Sequence, residues 1–253
     1  PLELIVFTLL GGTLLAVSAN VLNQIFEIET DRLMERTANR PLVTGEINKK
    51  SAYVYSTSLG LVGFLVLYTQ TTELAAFIAL SANIFYSFIY TLVLKPRTNQ
   101  NIVIGGAAGA APVLIGWSAT GTNLDTGSWL LFLLVFLWTP AHFWALSIDK
   151  LNDYKDANFP MLPTQESYKR TSIFIGIYSC ATVLTSLLLA PILQLGMVYL
   201  LLSLIFGLYL MYKSYQLYRK QIKAISYFVF SNTYLAVIFL SMVADIFITL
   251  SSI

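Results

Sequence analysis

In the segment SANVLNQIFEIETDRLMERTANRPLVTG, residues 18–45, an apolar run gives way to Asn23, Glu27 and Asp31, each four residues from the last. On an α-helix this spacing drifts by only about 40° per step, so the three side chains line one face over roughly 12 Å. A second segment, HFWALSIDKLNDYKDANFPMLP, repeats the device with Asp149, Asp153 and Asp156 at i, i+4 and i+7, and His142 lies seven residues before Asp149 on the same face. Two carboxylates about 6 Å apart repel by roughly 3 kcal/mol at an effective dielectric near 20. Two facing stripes of this kind therefore require a cation. An all-oxygen set of carboxylates and an amide suits Mg²⁺, which is typically held by one or two carboxylates together with phosphate oxygens. The expected metal ligands are Asn23, Glu27, Asp31, Asp149, Asp153 and Asp156, and the expected substrate carries phosphates.

Basic residues stand beside the stripes. Arg32, Arg36 and Arg40 follow the first acids, and Lys95 and Arg97 lie in the next basic segment. Guanidinium groups take phosphate oxygens bidentately and a lysine adds a point charge, so these five are the candidate diphosphate ligands. Any one of them also has a plainer reading as a loop charge that fixes membrane topology; the acids do little for topology.

The elements that must position these groups are membrane helices. The chain has 253 residues, is 57% hydrophobic and only 11% charged, and its mean hydropathy is +0.70. A soluble domain carries about 25% charged residues. Apolar runs long enough to cross the ~30 Å hydrocarbon core lie near 3–25, 52–69, 73–94, 102–120, 127–148, 171–192, 194–213 and 224–250. They lack the period-2 alternation of a barrel, so an all-α polytopic bundle of eight visible spans is expected, as a single domain over residues 1–253.

All 15 Lys and Arg fall within 26–51, 95–101, 149–170 and 213–223, and the alternate loops have none. The positive-inside rule then orients every span without conflict, with the basic loops cytoplasmic and both ends of the chain outward. The chain opens on Pro1, without a basic n-region or a small-residue cleavage site, so the first span reads as a clipped start rather than a signal peptide. The lone cysteine, Cys180, lies in an apolar run, which excludes an intramolecular disulfide.

On these residues the chain resembles the UbiA superfamily of intramembrane prenyltransferases, whose first motif is N-x-x-x-D-x-x-x-D and whose second is an aspartate cluster four helices on. ERTANRPLVTG (35–45), YTLVLKPRTNQNIVIGGAAGAAPVLIGW (90–117) and TPAHFWALSIDKLNDYKDANFPMLP (139–163) are similar to the branch that farnesylates heme b. The resemblance implies nine helices, a cavity open laterally to lipid, two Mg²⁺ ions at its cytoplasmic mouth, and transfer of farnesyl from farnesyl diphosphate to a heme b vinyl group with addition of water, giving heme O. It implies Asn23, Glu27, Asp31 and Asp153 as catalytic residues, and a role for His142 at the tetrapyrrole. Heme A synthase and oxidase assembly factors are the implied protein partners, a prokaryotic plasma membrane the implied location, and nucleic acid is not an expected partner. Glu27 departs from the motif's usual Asp, Asp149 and Asp156 make the second cluster richer than the branch requires, and one helix is expected to be missing from the front.

His142 is the only histidine and lies inside an apolar run, where ionisable groups are functional candidates; a hydrogen-bonded packing role is its plainer reading. Gly105 and Gly109 have small-x-x-x-small spacing, which means close helix packing or room for a flat ring beside a helix kinked at Pro112. Tyr86, Tyr90, Trp138, Phe143 and Trp144 are candidates to line a prenyl tunnel, where aromatic faces stabilise an allylic cation. Asp245, near the outer end of the last span, has no account in the sequence. The rival functions are prenylation of an aromatic or polar-lipid acceptor and secondary transport. Transporter sites lie near the bilayer midplane on broken helices, whereas both acidic stripes lie at one face, which favours the enzyme.

Overall fold

The computed structural model describes residues 2–251. Among them there is no strand, and eight helices are long and apolar enough to cross a membrane. They are α1 (Leu2–Phe26), α2 (Lys49–Gln70), α3 (Glu73–Leu94), α4 (Asn101–Ala119), α5 (Thr126–Asp149), α6 (Tyr168–Ile192), α7 (Met197–Tyr218) and α8 (Ala224–Ser251). Each coincides with an expected span. The largest departure is α7, which runs five residues past the expected end at 213, because the polar turn KSYQLY ends the hydropathy run without ending the helix.

Short polar side chains start these helices as the sequence prescribes. Asn48, Thr72 and Ser167 accept the backbone N–H three residues on, and Asp125 forms a reciprocal capping box with Ser128. The helices continue through Pro112 and Pro140.

The chain divides into two compact units. The first comprises residues up to Leu124 together with Leu151–Thr164, and so contains α1 to α4. Here α1 packs on α2 and α3 on α4. A Cβ on Gly11 would lie 2.9 Å from the Gly63 carbonyl oxygen, and one on Gly63 would lie 2.8 Å from that of Gly11, so the α1 and α2 backbones meet at these glycines. Further along the same crossing Ser18 and Ser56 share a hydrogen bond of 3.2 Å. Small residues, Ala75, Ala76, Ala79, Ala111 and Ala119 with Leu15 and Leu67, make the core, as expected where lipid supplies no hydrophobic drive and close van der Waals approach must.

The second unit comprises Asp125–Lys150 and Gln165 onward, containing α5 to α8. Buried hydroxyls hold it: Ser186 Oγ accepts from Ser203 at 3.0 Å and from Tyr234 at 2.8 Å, Tyr199 donates to the Ser186 carbonyl at 2.7 Å, and Ser179 meets Tyr227 at 2.6 Å. Asp245 finds its role here. Its carboxylate, on α8, accepts the backbone N–H of Gly196 and, at 3.5 Å, that of Tyr199, capping the N-terminus of α7 from a neighbouring helix.

Candidate functional site

Asn23, Glu27 and Asp31 are linked through the backbone at the end of α1. Helix α1 ends at Phe26, Glu27 leaves the helical conformation and a short turn, Ile28–Asp31, follows, but two i→i−4 bonds bridge the break, Glu27 N–H to Asn23 O (3.0 Å) and Asp31 N–H to Glu27 O (2.7 Å). All three side chains are buried. Asn23 Nδ2 donates to Thr91 Oγ1 at 3.1 Å, which leaves the amide oxygen as the acceptor end.

The acids already carry cations. Lys95 Nζ lies 2.6 Å from both oxygens of the Glu27 carboxylate, with hydrogen-bond geometry to Oε2. Arg40 donates to Asp31 Oδ2 at 2.5 Å. The repulsion that seemed to demand a metal is thus met in part by two residues expected on the diphosphate. Local sequence makes both contacts. Pro41 opens the turn Pro41–Thr44, Gly45 closes it in the left-handed region at φ 84°, and Thr37 donates to the Asp31 carbonyl at 2.8 Å, so the NRPLVTG phrase returns Arg40 to Asp31.

Lys95 is placed by a feature the sequence did not disclose. The second half of α3, Phe85–Leu94, is a π-helix, in which Lys95 N–H bonds Tyr90 O at 2.8 Å and Thr91 Oγ1 bonds Tyr86 O at 2.9 Å, both five residues back. Such segments concentrate at functional sites. Here it presents Thr91 to Asn23 and Lys95 to Glu27. Tyr86 and Tyr90 stack at 5.4 Å between ring centroids, and Tyr90 fills the space over Gly105, where a Cβ would lie 2.3 Å from its ring. The flat ring beside Gly105 is therefore Tyr90; Gly109 faces open space.

The second aspartate cluster is not one continuous stripe. Helix α5 stops at Asp149, Lys150 leaves the helical conformation, and a separate turn, Leu151–Asp156, follows. Asp153 is half-buried in that turn beside the buried Tyr154, and Asp156 is exposed; both belong to the first unit. Asp149 belongs to the second unit, is exposed and lies 3.5 Å from Lys150. Among the described residues no three His, Cys, Asp or Glu side chains form a ready metal cage. An ion held by one or two carboxylates and completed by phosphate oxygens still fits the buried oxygen set of Asn23, Glu27 and Asp31. Of the remaining cations, Arg32 pairs with Glu29 at the surface, and Arg36 and Arg97 are exposed.

His142, in the second unit, is buried between the rings of Trp138 (4.2 Å) and Phe228 (4.1 Å). Its Nδ1 lies 2.7 Å from Ser231 Oγ. Ser231 spends its single hydroxyl proton on the Phe228 carbonyl at 2.7 Å, so it must accept from the histidine, which fixes the proton on Nδ1 and leaves the lone pair on Nε2. Trp138 Nε1 donates to the Ser231 carbonyl at 2.8 Å and completes the clamp. Phe143 meets His142 edge-on, and Trp144 is buried against Phe174 and Tyr178. Ser231 and Phe228 lie in the last third of the chain, where only hydropathy was legible.

Residues 1–243 match the UbiA prenyltransferase family. The chain is 42% identical over 238 residues to a protoheme IX farnesyltransferase of Thermus thermophilus, covering 93% of this chain but only 39% of that protein, so it spans well under half of that relative's length. A protoheme IX farnesyltransferase of Clavibacter sepedonicus is 42% identical over 247 residues, covering 96% of this chain and 81% of that one. Among solved structures, a digeranylgeranylglyceryl phosphate synthase aligns with a TM-score of 0.80 at 22% identity over 97% of this chain and 86% of its own. A UbiA homologue from Archaeoglobus fulgidus, bound to GPP and Mg²⁺, aligns with a TM-score of 0.67 at 17% identity over 96% of this chain and 88% of its own. Both structural likenesses concern the fold. With nearly its whole length matched and its N-x-x-x-E-x-x-x-D stripe buried at the end of α1, this chain belongs to the UbiA prenyltransferase family.

Proposed function

We propose that the chain is a Mg²⁺-dependent membrane prenyltransferase that moves farnesyl from farnesyl diphosphate to a vinyl group of heme b, giving heme O, and that residues 1–253 act as one domain. The support for the class is family membership, and for the donor and acceptor the name carried by relatives at 42% identity. The observation that carries the site is the buried Asn23–Glu27–Asp31 stripe with Lys95 and Arg40 already upon it.

In this reading Asn23, Glu27 and Asp31 hold one ion and Asp153, half-buried in the same unit, a second. When bound, Mg²⁺ supplies Lewis-acid neutralisation of the departing diphosphate. Lys95 and Arg40 bind the diphosphate oxygens and take up the charge that grows there as the allylic C–O bond breaks and its electron pair leaves with the diphosphate. The farnesyl carbon then joins the vinyl terminus, and water adds a hydroxyl to the adjoining carbon and releases a proton. Stacked Tyr86 and Tyr90 keep solvent from the allylic cation before capture. His142 meets the tetrapyrrole through Nε2. No covalent nucleophile on the protein is needed. The basic loops face the cytoplasm of a prokaryotic cell, and a heme-modifying or oxidase-assembly protein receives the product.

The test is the mass of products formed by the purified full-length protein from farnesyl diphosphate, Mg²⁺ and either heme b or 4-hydroxybenzoate. A hydroxyethylfarnesyl heme supports the assignment. Farnesylated benzoate with unchanged heme moves it to an aromatic acceptor.

A further inference from the structure

Glu27 cannot receive a metal, nor Lys95 a diphosphate, while each is bound to the other. Their contact is close and buried: Nζ is 2.6 Å from the carboxylate, and the side chains are 16% and 7% exposed. A carboxylate this buried needs a cation at all times, because one left unpaired in such surroundings is strongly unfavourable. The lysine is suited to leave. Its ammonium is a compact charge on a flexible four-carbon stem, and it lies 4.6 Å from the face of Phe159, a second attractive surface on the segment that carries Asp153. The main chain stays fixed meanwhile, since Asn101 Nδ2 holds the Lys95 carbonyl at 3.4 Å and the π-helix holds its N–H. Both oxygens of Glu27 lie 2.6 Å from the ammonium, so its departure releases the whole carboxylate.

We propose, resting on the metal–diphosphate reading above, that Lys95 is the resident counter-cation of Glu27 and changes partner on loading: its ammonium moves from the carboxylate to a diphosphate oxygen as a divalent cation takes the carboxylate. Metal alone must displace a half-buried ammonium, and diphosphate alone must strip Glu27 of the cation it is paired with. Together they replace both halves of the ion pair.

Binding of Mn²⁺ alone, followed by the electron paramagnetic resonance of the free ion, and of metal-free inorganic diphosphate, followed by calorimetry, tests this on the purified full-length protein. Lys95→Met is expected to bind Mn²⁺ alone about tenfold more tightly than wild type, a coupling of ordinary size between competing ligands. Lys50→Met, which removes the same charge from an exposed position outside the site, is expected to change that affinity by less than about twofold. Should Lys95→Met fail to fold, Glu27→Gln carries the test: it frees Lys95 and is expected to bind metal-free diphosphate about tenfold more tightly, and a gain of the same size when Lys95 is also changed to Met, and so brings no charge to the diphosphate, would count against the exchange. If wild type binds Mn²⁺ with farnesyl diphosphate but Lys95→Met binds Mn²⁺ alone no more tightly than wild type, exchange is wrong and the diphosphate site stands. If wild type takes up no Mn²⁺ with farnesyl diphosphate present, the diphosphate site falls, and exchange with it.

Discussion

The Thr91 hydroxyl links two helices at the head of the acidic stripe: it accepts from Asn23 Nδ2 at 3.1 Å on α1 and donates to the Tyr86 carbonyl at 2.9 Å within its own π-helix. Thr91 touches neither acid, yet it sets which end of the Asn23 amide faces them. Groups that orient a metal ligand from behind typically matter by about 10- to 100-fold. Thr91→Val keeps the shape and removes both bonds, so prenyl transfer should fall by about that factor, with half-saturation shifted to higher Mg²⁺. Thr91→Ser should retain most activity. A Mg²⁺ titration of both variants decides it, and an unchanged profile in Thr91→Val would remove Asn23 from the ligand set.

The acids themselves should act more steeply. Asp31→Asn or Glu27→Ala should lower turnover by about 10² or more, the scale of losing a charge contact made in the transition state. Each also strands a half-buried cation, Arg40 or Lys95, so thermal unfolding must be measured beside activity. Glu27→Asp should stay substantially active, since the acid remains and only one methylene is lost. Turnover that survives chelation of Mg²⁺ would put the diphosphate elsewhere.

The four-residue spacing of the first stripe was legible because i→i−4 bonds join Asn23, Glu27 and Asp31 even across the break at Glu27, and the spans were legible because lipid leaves hydropathy as the only pattern. What remained hidden depends on contacts remote in sequence or on helix breaks. No propensity marks Phe85–Leu94 as a π-helix, and nothing in SIDKLND announces that Lys150 interrupts the Asp149–Asp153 register. Asp245 was opaque for a simpler reason: it reaches backbone N–H groups 49 and 46 residues away, which carry no side-chain signal.

Asp245 should therefore matter for stability rather than chemistry. Asp245→Leu leaves the first turn of α7 without its acceptor, at a cost of about 1–3 kcal/mol for buried donors left unpaired. Asp245→Asn keeps an acceptor oxygen and should lose less. The check is thermal unfolding in detergent, with KM for farnesyl diphosphate unchanged in the folded fraction.

Two adjacent glycines separate packing from propensity. Gly11→Ala places a Cβ 2.7 Å from Leu67 Cγ and 2.9 Å from the Gly63 carbonyl, so α1 and α2 must part, at about 1–3 kcal/mol. Gly12→Ala meets nothing within 4 Å and should be neutral or slightly stabilising through helix propensity. Equal melting temperatures for the two variants would contradict the observed crossing.

His142 offers the sharpest division between acceptor and donor. Ser231, donating to the Phe228 carbonyl, fixes its tautomer, so Nε2 is the nitrogen with the lone pair, the form that can coordinate iron or take a proton. His142→Ala removes that nitrogen and opens the space between Trp138 and Phe228, whereas His142→Gln retains polarity without a ring. If Nε2 serves the tetrapyrrole, both variants should lose heme-dependent turnover by about 10-fold or more, while binding of farnesyl diphosphate and its Mg²⁺ requirement stay within about twofold of wild type. Ser231→Ala is the finer probe, because it leaves the imidazole in place and frees its tautomer; it should lower heme turnover less than His142→Ala does. Absorption spectra of added heme b, recorded with wild type and His142→Ala, supply a readout independent of turnover. If turnover and heme spectra match wild type in His142→Ala, and only the melting temperature falls, His142 is a packing residue held between two aromatic rings, and the heme contact must be sought on other side chains.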